Sequence, residues 1–168
     1  DDLDPRMYEM INLLKTKNRT VIKLKRNVPY RVNQLVFISN LSIVKDAYNE
    51  VPSNNHTFLP VHLLNSISQI VSSQGDDLKV SDNYARRRRR IYLARGSKNR
   101  HIVNEPHLID ALVRRGFEIV SLDNLSLLSQ VEIFSNADVI VGPTGAAFTN
   151  LLWCKPKTKC YILYPDHP

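Results

Sequence analysis

The chain as given lacks long apolar runs, and its first residues are not expected to be a signal peptide. No stretch approaches the about 18 consecutive apolar residues that a membrane-spanning helix needs. The first five residues, Asp-Asp-Leu-Asp-Pro, have neither the basic nor the apolar region of a signal peptide. We therefore expect the chain as given to be soluble.

Cysteine is scarce as well. The two cysteines, Cys154 and Cys160, have neither the paired spacing nor the histidine partners of a zinc site. Buried free thiols are expected, with a disulfide as the less favoured alternative, and free thiols favour a reducing compartment.

Motifs of the common catalytic classes are also missing. The sequence has no Gly-x-Ser-x-Gly elbow, no Walker motif, no Gly-x-Gly-x-x-Gly fingerprint and no Asp-x-Asp pair for a metal. Its five histidines are scattered and form no evident dyad or triad. No catalytic residue is assigned from these patterns.

What the chain does have is the size and charge of a basic globular unit. Its 168 residues are 43% hydrophobic, which suits a single domain over residues 1–168 at about 100–200 residues per domain. The formal charge of +7 and the isoelectric point near 9.5 favour anionic partners. Nucleotides, nucleic acid, acidic glycans and a membrane surface all fit that charge.

The first 75 residues predict a less regular α/β part. Residues 4–15 have a helical apolar spacing, with Asp4 as N-cap and Pro5 at the first helical position. Two strands are expected next, at residues 20–25 and 34–39. A helix is expected at residues 60–73, with an inner side of Val61, Leu64, Ile67, Ile70 and Val71.

Residues 76–90 differ from both of their neighbours. They contain hardly any apolar residue and end in five consecutive arginines. This composition predicts a basic surface segment, the best candidate in the chain for flexibility.

Residues 91–168 show a regular alternation of strands and helices. Strands are predicted at residues 91–94, 117–120, 138–141 and 159–164. One helix is predicted at residues 105–115, with Leu108, Ile109, Leu112 and Val113 inward. A second is predicted to begin after the N-cap Ser126, with Leu127, Val131 and Phe134 inward. A third is predicted at residues 146–154. The alternation predicts an α/β fold whose parallel sheet has helices on both faces.

The segment at residues 138–150 reads as a buried strand that stops at Gly142 and restarts as a helix. Small residues at Gly145, Ala146 and Ala147 would let a ligand approach the free N–H groups of the first helical turn. Those groups and the helix dipole favour an anion. A tight connection without a ligand explains the pattern equally well.

Basic side chains follow the first strand of the regular half. Because ligands bind beyond the carboxyl ends of parallel strands, Arg95 and Arg100 are expected near Thr144 and Gly145. A guanidinium beside free helix N–H groups is a phosphate clamp. A solvated surface arginine is the alternative for each.

Polar residues on two helices are further candidates. Asn104 and Glu105 open one helix, where capping and the helix dipole also explain them. Glu132, which could bind a ribose hydroxyl pair, and Gln130 lie on the helix before the glycine-containing turn, where an ordinary exposed position explains them as well.

The arginine run at residues 86–90 also fits nucleic acid, because clustered arginines neutralise phosphates. No aromatic residues are interleaved with it for base stacking, so no nucleic-acid partner is expected. An anionic membrane surface fits the run as well, at ~1 kcal/mol per basic residue.

Several motifs in a fixed order resemble the glycosyltransferase 61 family. The resemblance covers residues 88–165 well and the first third of the chain loosely. The motifs are Ile91-Tyr-Leu-Ala-Arg95, Arg100-His-Ile-Val-Asn-Glu105, Leu108, Gly116-Phe-Glu-Ile-Val120, Leu125-Ser126, Gln130-Val-Glu-Ile-Phe134, Ala137, Val141-Gly-Pro-Thr-Gly-Ala146 and Thr149-Asn150.

The resemblance implies the C-terminal Rossmann-like part of a GT-B type enzyme, which holds a nucleotide sugar, generally without a metal ion or other cofactor. It places the donor diphosphate on Arg95, Arg100, Thr144, Gly145, Ala146 and Ala147. It places the nucleoside or sugar near Asn104, Glu105, Gln130 and Asn150, while Glu132 is a candidate from its position on the helix alone. Many members have histidine where this chain has Thr144, so a hydroxyl stands in its place.

The function implied is transfer of a sugar from a nucleotide-sugar donor to a glycan acceptor in capsular or extracellular polysaccharide synthesis. The expected location is the cytoplasm or the inner face of the membrane. The chain looks too short for the acceptor half, so we expect a fragment of a longer enzyme. The alternative is a non-catalytic module that docks an acidic partner or a membrane through residues 86–90.

Overall fold

The computed structural model of the protein describes residues 4–15, 17–36, 43–44, 57–58, 60–76, 89–95 and 102–164. A four-stranded, all-parallel sheet flanked by helices dominates these residues. The predicted α/β, Rossmann-like fold is therefore confirmed.

The chain begins with helix α1, Pro5–Leu14, as the sequence predicts. Asp4 is its N-cap and accepts a 2.8 Å hydrogen bond from the Arg6 N–H. Pro5, at the first helical position, has no N–H to leave unsatisfied. The inner side of α1 places Met10 and Leu14 against the core.

The strand predicted at residues 20–25 is wrong, because no strand forms there. Alternating apolar residues form a strand only when a partner ladder and a buried face are available, yet Ile22 is 74% exposed and Leu24 59%. Residues 34–36 are not in a strand either, and the rest of the predicted strand at 34–39 lies outside the described residues.

Two short strands, β1 (Ile43–Val44) and β2 (Thr57–Phe58), pair antiparallel instead. Helix α2, Val61–Asp76, follows and confirms the helix predicted at 60–73. Val71 on this helix is fully buried, whereas Val61 and Ile70, expected on the inner side, are exposed.

The regular half of the chain supplies the parallel sheet and its helices. Its elements are β3 (Arg89–Leu93), α3 (Glu105–Val113), β4 (Phe117–Val120), α4 (Leu127–Ser135), β5 (Ala137–Pro143), a 3-10 helix (Ala146–Trp153) and β6 (Lys159–Leu163). The sheet order is β4-β3-β5-β6. Val113, expected to point inward, is exposed at the end of α3.

The four strands end at the same edge. Leu93 pairs with Val120, and Pro143 pairs with Leu163, each the last residue of its strand. One further backbone bond continues each pair, because Ala94 N–H donates to Val120 and Thr144 N–H donates to Leu163, both at 2.9 Å. Arg95 and Gly145 therefore directly follow the last backbone bonds of this edge.

The core lies between the sheet, α2 and α4. Ile91, Phe134, Ile140 and Val71 are fully buried in one cluster, and Trp153 of the 3-10 helix joins them. The N-terminal helices thus share a core with the sheet.

The helix predicted at residues 146–154 forms, and it is a 3-10 helix, Ala146–Trp153. Thr149 Oγ1 donates to the Ala146 carbonyl at 2.7 Å, and Asn150 Nδ2 donates to the Ala147 carbonyl at 3.2 Å. Side chains that bond the carbonyl three residues back compete with the regular α-helical ladder.

Candidate functional site

A cavity of about 650 Å³ opens beyond the carboxyl ends of β3 and β5. This is the edge of a parallel sheet where ligands bind, and the volume suits a small-molecule ligand. Its walls are Asp4, Arg6, Met7, Met10, Leu93, Ala94, Arg95, Leu122, Asp123, Leu127, Gln130, Pro143, Ala146, Ala147, Thr149, Asn150, Leu152 and Trp153.

Arg95 lies against Gly145 at this edge. A Cβ built on Gly145 would lie 2.9 Å from Arg95 Cζ and closer still to Nη2, so a larger residue would collide with the guanidinium. The Gly145 backbone, at φ 157° and ψ −176°, also occupies a region that other residues rarely adopt. Two strand ends that the sequence keeps 50 positions apart thus meet here, as expected.

The Arg95 guanidinium has unused hydrogen-bonding capacity. Its Nη1 atom is buried and has no hydrogen-bond partner among the residues that the structure describes. A buried donor without a partner costs about 1–3 kcal/mol, and more when charged, so its presence calls for an explanation. An anionic ligand in the cavity would supply the missing acceptor.

Backbone donors stand beside this guanidinium. The first bond of the 3-10 helix runs from Phe148 N–H to the Gly145 carbonyl at 3.1 Å. The N–H groups of Ala146 and Ala147 therefore precede the helical ladder, and both residues line the cavity. Thr144 uses its own N–H on Leu163 and is not a lining residue.

Gly142, which lies in β5 three residues before Gly145, has a packing role. A Cβ at this position would lie 2.9 Å from Leu93 Cβ and 3.2 Å from the Leu93 carbonyl oxygen. The glycine therefore allows β5 to pack closely on β3 just before the strands end.

Gln130 and Asn150 form a buried network in the cavity wall, at 4% and 8% exposure. Asn150 Nδ2 donates to Gln130 Oε1 at 3.0 Å, and Trp153 Nε1 donates to Asn150 Oδ1 at 2.9 Å. Gln130 Nε2 donates to the Leu125 carbonyl at 3.1 Å. These bonds fix the side chains of both predicted site residues.

Glu105, Asn104 and Glu132 are not among the residues that line the cavity. Glu105 accepts a 2.8 Å hydrogen bond from the hydroxyl of buried Tyr92. Burial and this carboxylate raise the pKa of Tyr92 well above its usual range. Asn104 precedes α3 without a side-chain capping bond, and Glu132 lies half-buried on α4.

Arg100 lies outside the described residues, as do the first three arginines of the run at residues 86–90. The last two arginines of the run belong to β3. Arg89 forms a bidentate ion pair with Glu118, at 2.7 and 2.9 Å from Nη2. Arg90 Nη1 donates to the Arg115 carbonyl at 3.3 Å.

Helix α1 supplies cavity residues that the sequence did not indicate. Asp4 holds Arg6 through bonds of 2.9 Å to Nε and 2.6 Å to Nη2. These hydrogen bonds lower the pKa of Asp4 to about 2. Asp4, followed by Asp123, helps to raise the pKa of Arg6.

The remaining polar groups are placed as follows. Cys154 and Cys160 are free and half-buried, and burial raises the pKa of Cys154 to about 11. Within the described ranges, no group of three or more His, Cys, Asp or Glu side chains is arranged to hold a metal ion. None of the helices in this part of the chain is long and apolar enough to cross a membrane.

Comparison with known protein families matches residues 3–161 to the model of Glycosyltransferase 61. This match includes α1, the strands β3, β4 and β5, and β6 as far as Tyr161. A search of curated proteins finds no match.

Proposed function

The chain belongs to the glycosyltransferase 61 family, and on that premise we propose that it holds the diphosphate of a nucleotide-sugar donor for transfer of the sugar to a glycan acceptor. Arg95 and the N–H groups of Ala146 and Ala147 bind the diphosphate in this proposal. The process served is capsular or extracellular polysaccharide synthesis.

The observation that carries the proposal is the buried Nη1 of Arg95, which has no hydrogen-bond partner among the described residues. It lies beside two backbone donors. A guanidinium offers a planar fork of donors that matches phosphate oxygens and holds its charge at all physiological pH values. Fixed N–H groups at a helix start add donors that need no reorganisation when the ligand arrives.

The chemistry follows from where charge develops during transfer. An acceptor hydroxyl oxygen forms a bond to the anomeric carbon, and the bond from that carbon to the diphosphate oxygen breaks. Negative charge grows on the leaving diphosphate as this bond lengthens. Arg95 then binds the transition state more strongly than the ground state, which is the condition for a faster reaction.

The rest of the enzyme is proposed from the family. A GT-B type arrangement would place the acceptor and the catalytic base on a part of the protein beyond this chain. The net charge of +7 is compatible with a location at an anionic membrane surface.

Calorimetry with UDP, GDP and CMP tests the proposal, with Arg95→Ala as the variant and Arg114→Ala as the control. Arg114 is an exposed arginine that follows α3 and does not line the cavity. Loss of a charged hydrogen-bond donor predicts about 10- to 100-fold weaker diphosphate binding for Arg95→Ala only. The proposal fails if no nucleotide binds, or if Arg95→Ala binds as tightly as the wild type.

A further inference from the structure

Helix α1 closes one side of the cavity. It contributes Arg6, Met7 and Met10 to the wall, and its N-cap Asp4 lines the cavity as well. Leu127 and Trp153 belong to the same cavity. The cavity thus has a cationic side chain at Arg95, and α1 adds apolar side chains beside the Asp4–Arg6 pair.

Glu9 fixes α1 in this position. Its Oε2 accepts a 2.6 Å hydrogen bond from the Leu127 N–H, which is the first N–H of α4. A carboxylate is favoured there by the helix dipole, and a bond of this length is typical of charged acceptors. Glu9 does not itself line the cavity, so its effect on a ligand passes through α1.

The side chains of the apolar part suit a flat heterocycle. Met7 is 51% exposed although it belongs to a wall rich in apolar groups. A thioether is polarizable and adapts its shape to the face or edge of a ring. Trp153, the chain's only tryptophan, lines the same cavity although it is only 6% exposed.

A buried amide in this wall can contact the polar edge of such a ring. Gln130 Nε2 donates one bond to Leu125, and Oε1 accepts one from Asn150. A glutamine amide has two N–H donors and two oxygen lone pairs, so Nε2 and Oε1 of Gln130 each have capacity for a second hydrogen bond. Paired donor and acceptor groups beside apolar side chains are the chemistry that binds a nucleobase.

We infer that α1 forms the nucleobase side of the donor site, with Met7 and Met10 against the base and Glu9 as the positioning residue that holds them there. The inference rests on the proposed function, because Arg95 sets where the diphosphate lies. The inference adds that contacts with α1 supply the nucleoside's contribution to the binding affinity.

Titrations of the full chain with pyrophosphate, UDP and GDP test this inference. Binding is measured by Trp153 fluorescence and by calorimetry. Pyrophosphate carries no base and so tests the diphosphate contact with Arg95, whereas UDP and GDP add a base that α1 would contact. The variants are Met7→Ala, Glu9→Ala and the conservative Glu9→Gln. Val61→Ala is the matched control, since Val61 is an exposed apolar residue on a helix outside the cavity wall.

Loss of apolar contact predicts about three- to tenfold weaker binding of the tighter nucleoside diphosphate to Met7→Ala and Glu9→Ala. Pyrophosphate affinity stays unchanged, Glu9→Gln falls between Glu9→Ala and the wild type, and Val61→Ala has no effect. A structural role of Glu9 alone would lower the melting temperature but leave the ratio of the two affinities constant.

Two results would overturn the inference, and they differ in whether the diphosphate proposal fails as well. If pyrophosphate binds through Arg95 and the nucleoside adds no affinity, or adds affinity that Met7→Ala and Glu9→Ala leave intact, only the role of α1 is wrong. If none of the three ligands binds, the diphosphate proposal fails and the role of α1 fails with it.

Discussion

Replacing Gly145 with alanine should damage the diphosphate site without removing any of its charged groups. The added Cβ would lie 2.9 Å from Arg95 Cζ, so the guanidinium must leave its place against the turn. The backbone at φ 157° adds strain, at about 1–3 kcal/mol for a residue in a sparsely populated region.

Two magnitudes follow for Gly145→Ala. The free energy of unfolding should fall by about 1–3 kcal/mol from the strain alone. Diphosphate binding should weaken by about 10- to 100-fold, as for Arg95→Ala, because one charge-assisted hydrogen bond is worth about 1.5–3 kcal/mol. Urea unfolding measures the first quantity and calorimetry with a nucleoside diphosphate the second.

Gly116→Ala is the matched control. Gly116 has φ 78°, so alanine is strained there too, at about 1–2 kcal/mol, yet a Cβ would meet nothing within 4 Å. This variant should lose stability and keep its affinity. The double variant Gly145→Ala with Arg95→Ala should bind no more weakly than either single variant, since both remove the same contact. Normal binding by Gly145→Ala would refute the reasoning.

Three further predictions concern the surroundings of the site. Tyr92→Phe removes the hydroxyl that donates to Glu105 and should lower the free energy of unfolding by about 1 kcal/mol in urea titrations, while pyrophosphate affinity is unchanged. Hydrogen bonds from Arg6 lower the pKa of Asp4 from 3.8 to about 2, so this pair stabilises the fold above pH 3.8 and ceases to do so as the pH falls through 2. The difference in unfolding free energy between the wild type and Asp4→Asn should therefore vanish in acid. Replacing residues 86–88 with glutamine, which spares the β3 residues Arg89 and Arg90, should leave calorimetric nucleotide binding nearly unchanged, whereas a protein that binds anionic vesicles only with these arginines and binds no nucleotide would favour the docking-module alternative.

The regular half of the chain was predictable because its signals are local. The strand Phe117–Val120 has the predicted bounds, since it is a short apolar run preceded by a helix-ending glycine. Ser126 caps α4 as expected and accepts a hydrogen bond from the Ser129 N–H at 3.2 Å. Both signals lie within a few residues of the element that they define.

Local patterns were not enough where the outcome depends on distant or competing contacts. Residues 20–25 alternate as a strand does, but a strand needs a partner that no local pattern supplies. The 3-10 helix follows from side-chain bonds of Thr149 and Asn150 that compete with the backbone, and apolar spacing does not register them.

The candidate site shows the same division. The meeting of Arg95 with Gly145 followed from topology, because parallel strands end at one edge of the sheet. The contribution of α1 did not, since the bond from Leu127 to Glu9 spans 118 positions and neither residue belongs to a sequence motif for that contact.

The most direct test of the diphosphate site is a crystal structure of the protein bound to a nucleotide sugar. We predict diphosphate oxygens within about 2.7–3.2 Å of Arg95 Nη1 and of the Ala146 N–H. A donor bound elsewhere, with Arg95 Nη1 still lacking a phosphate partner, would contradict the account.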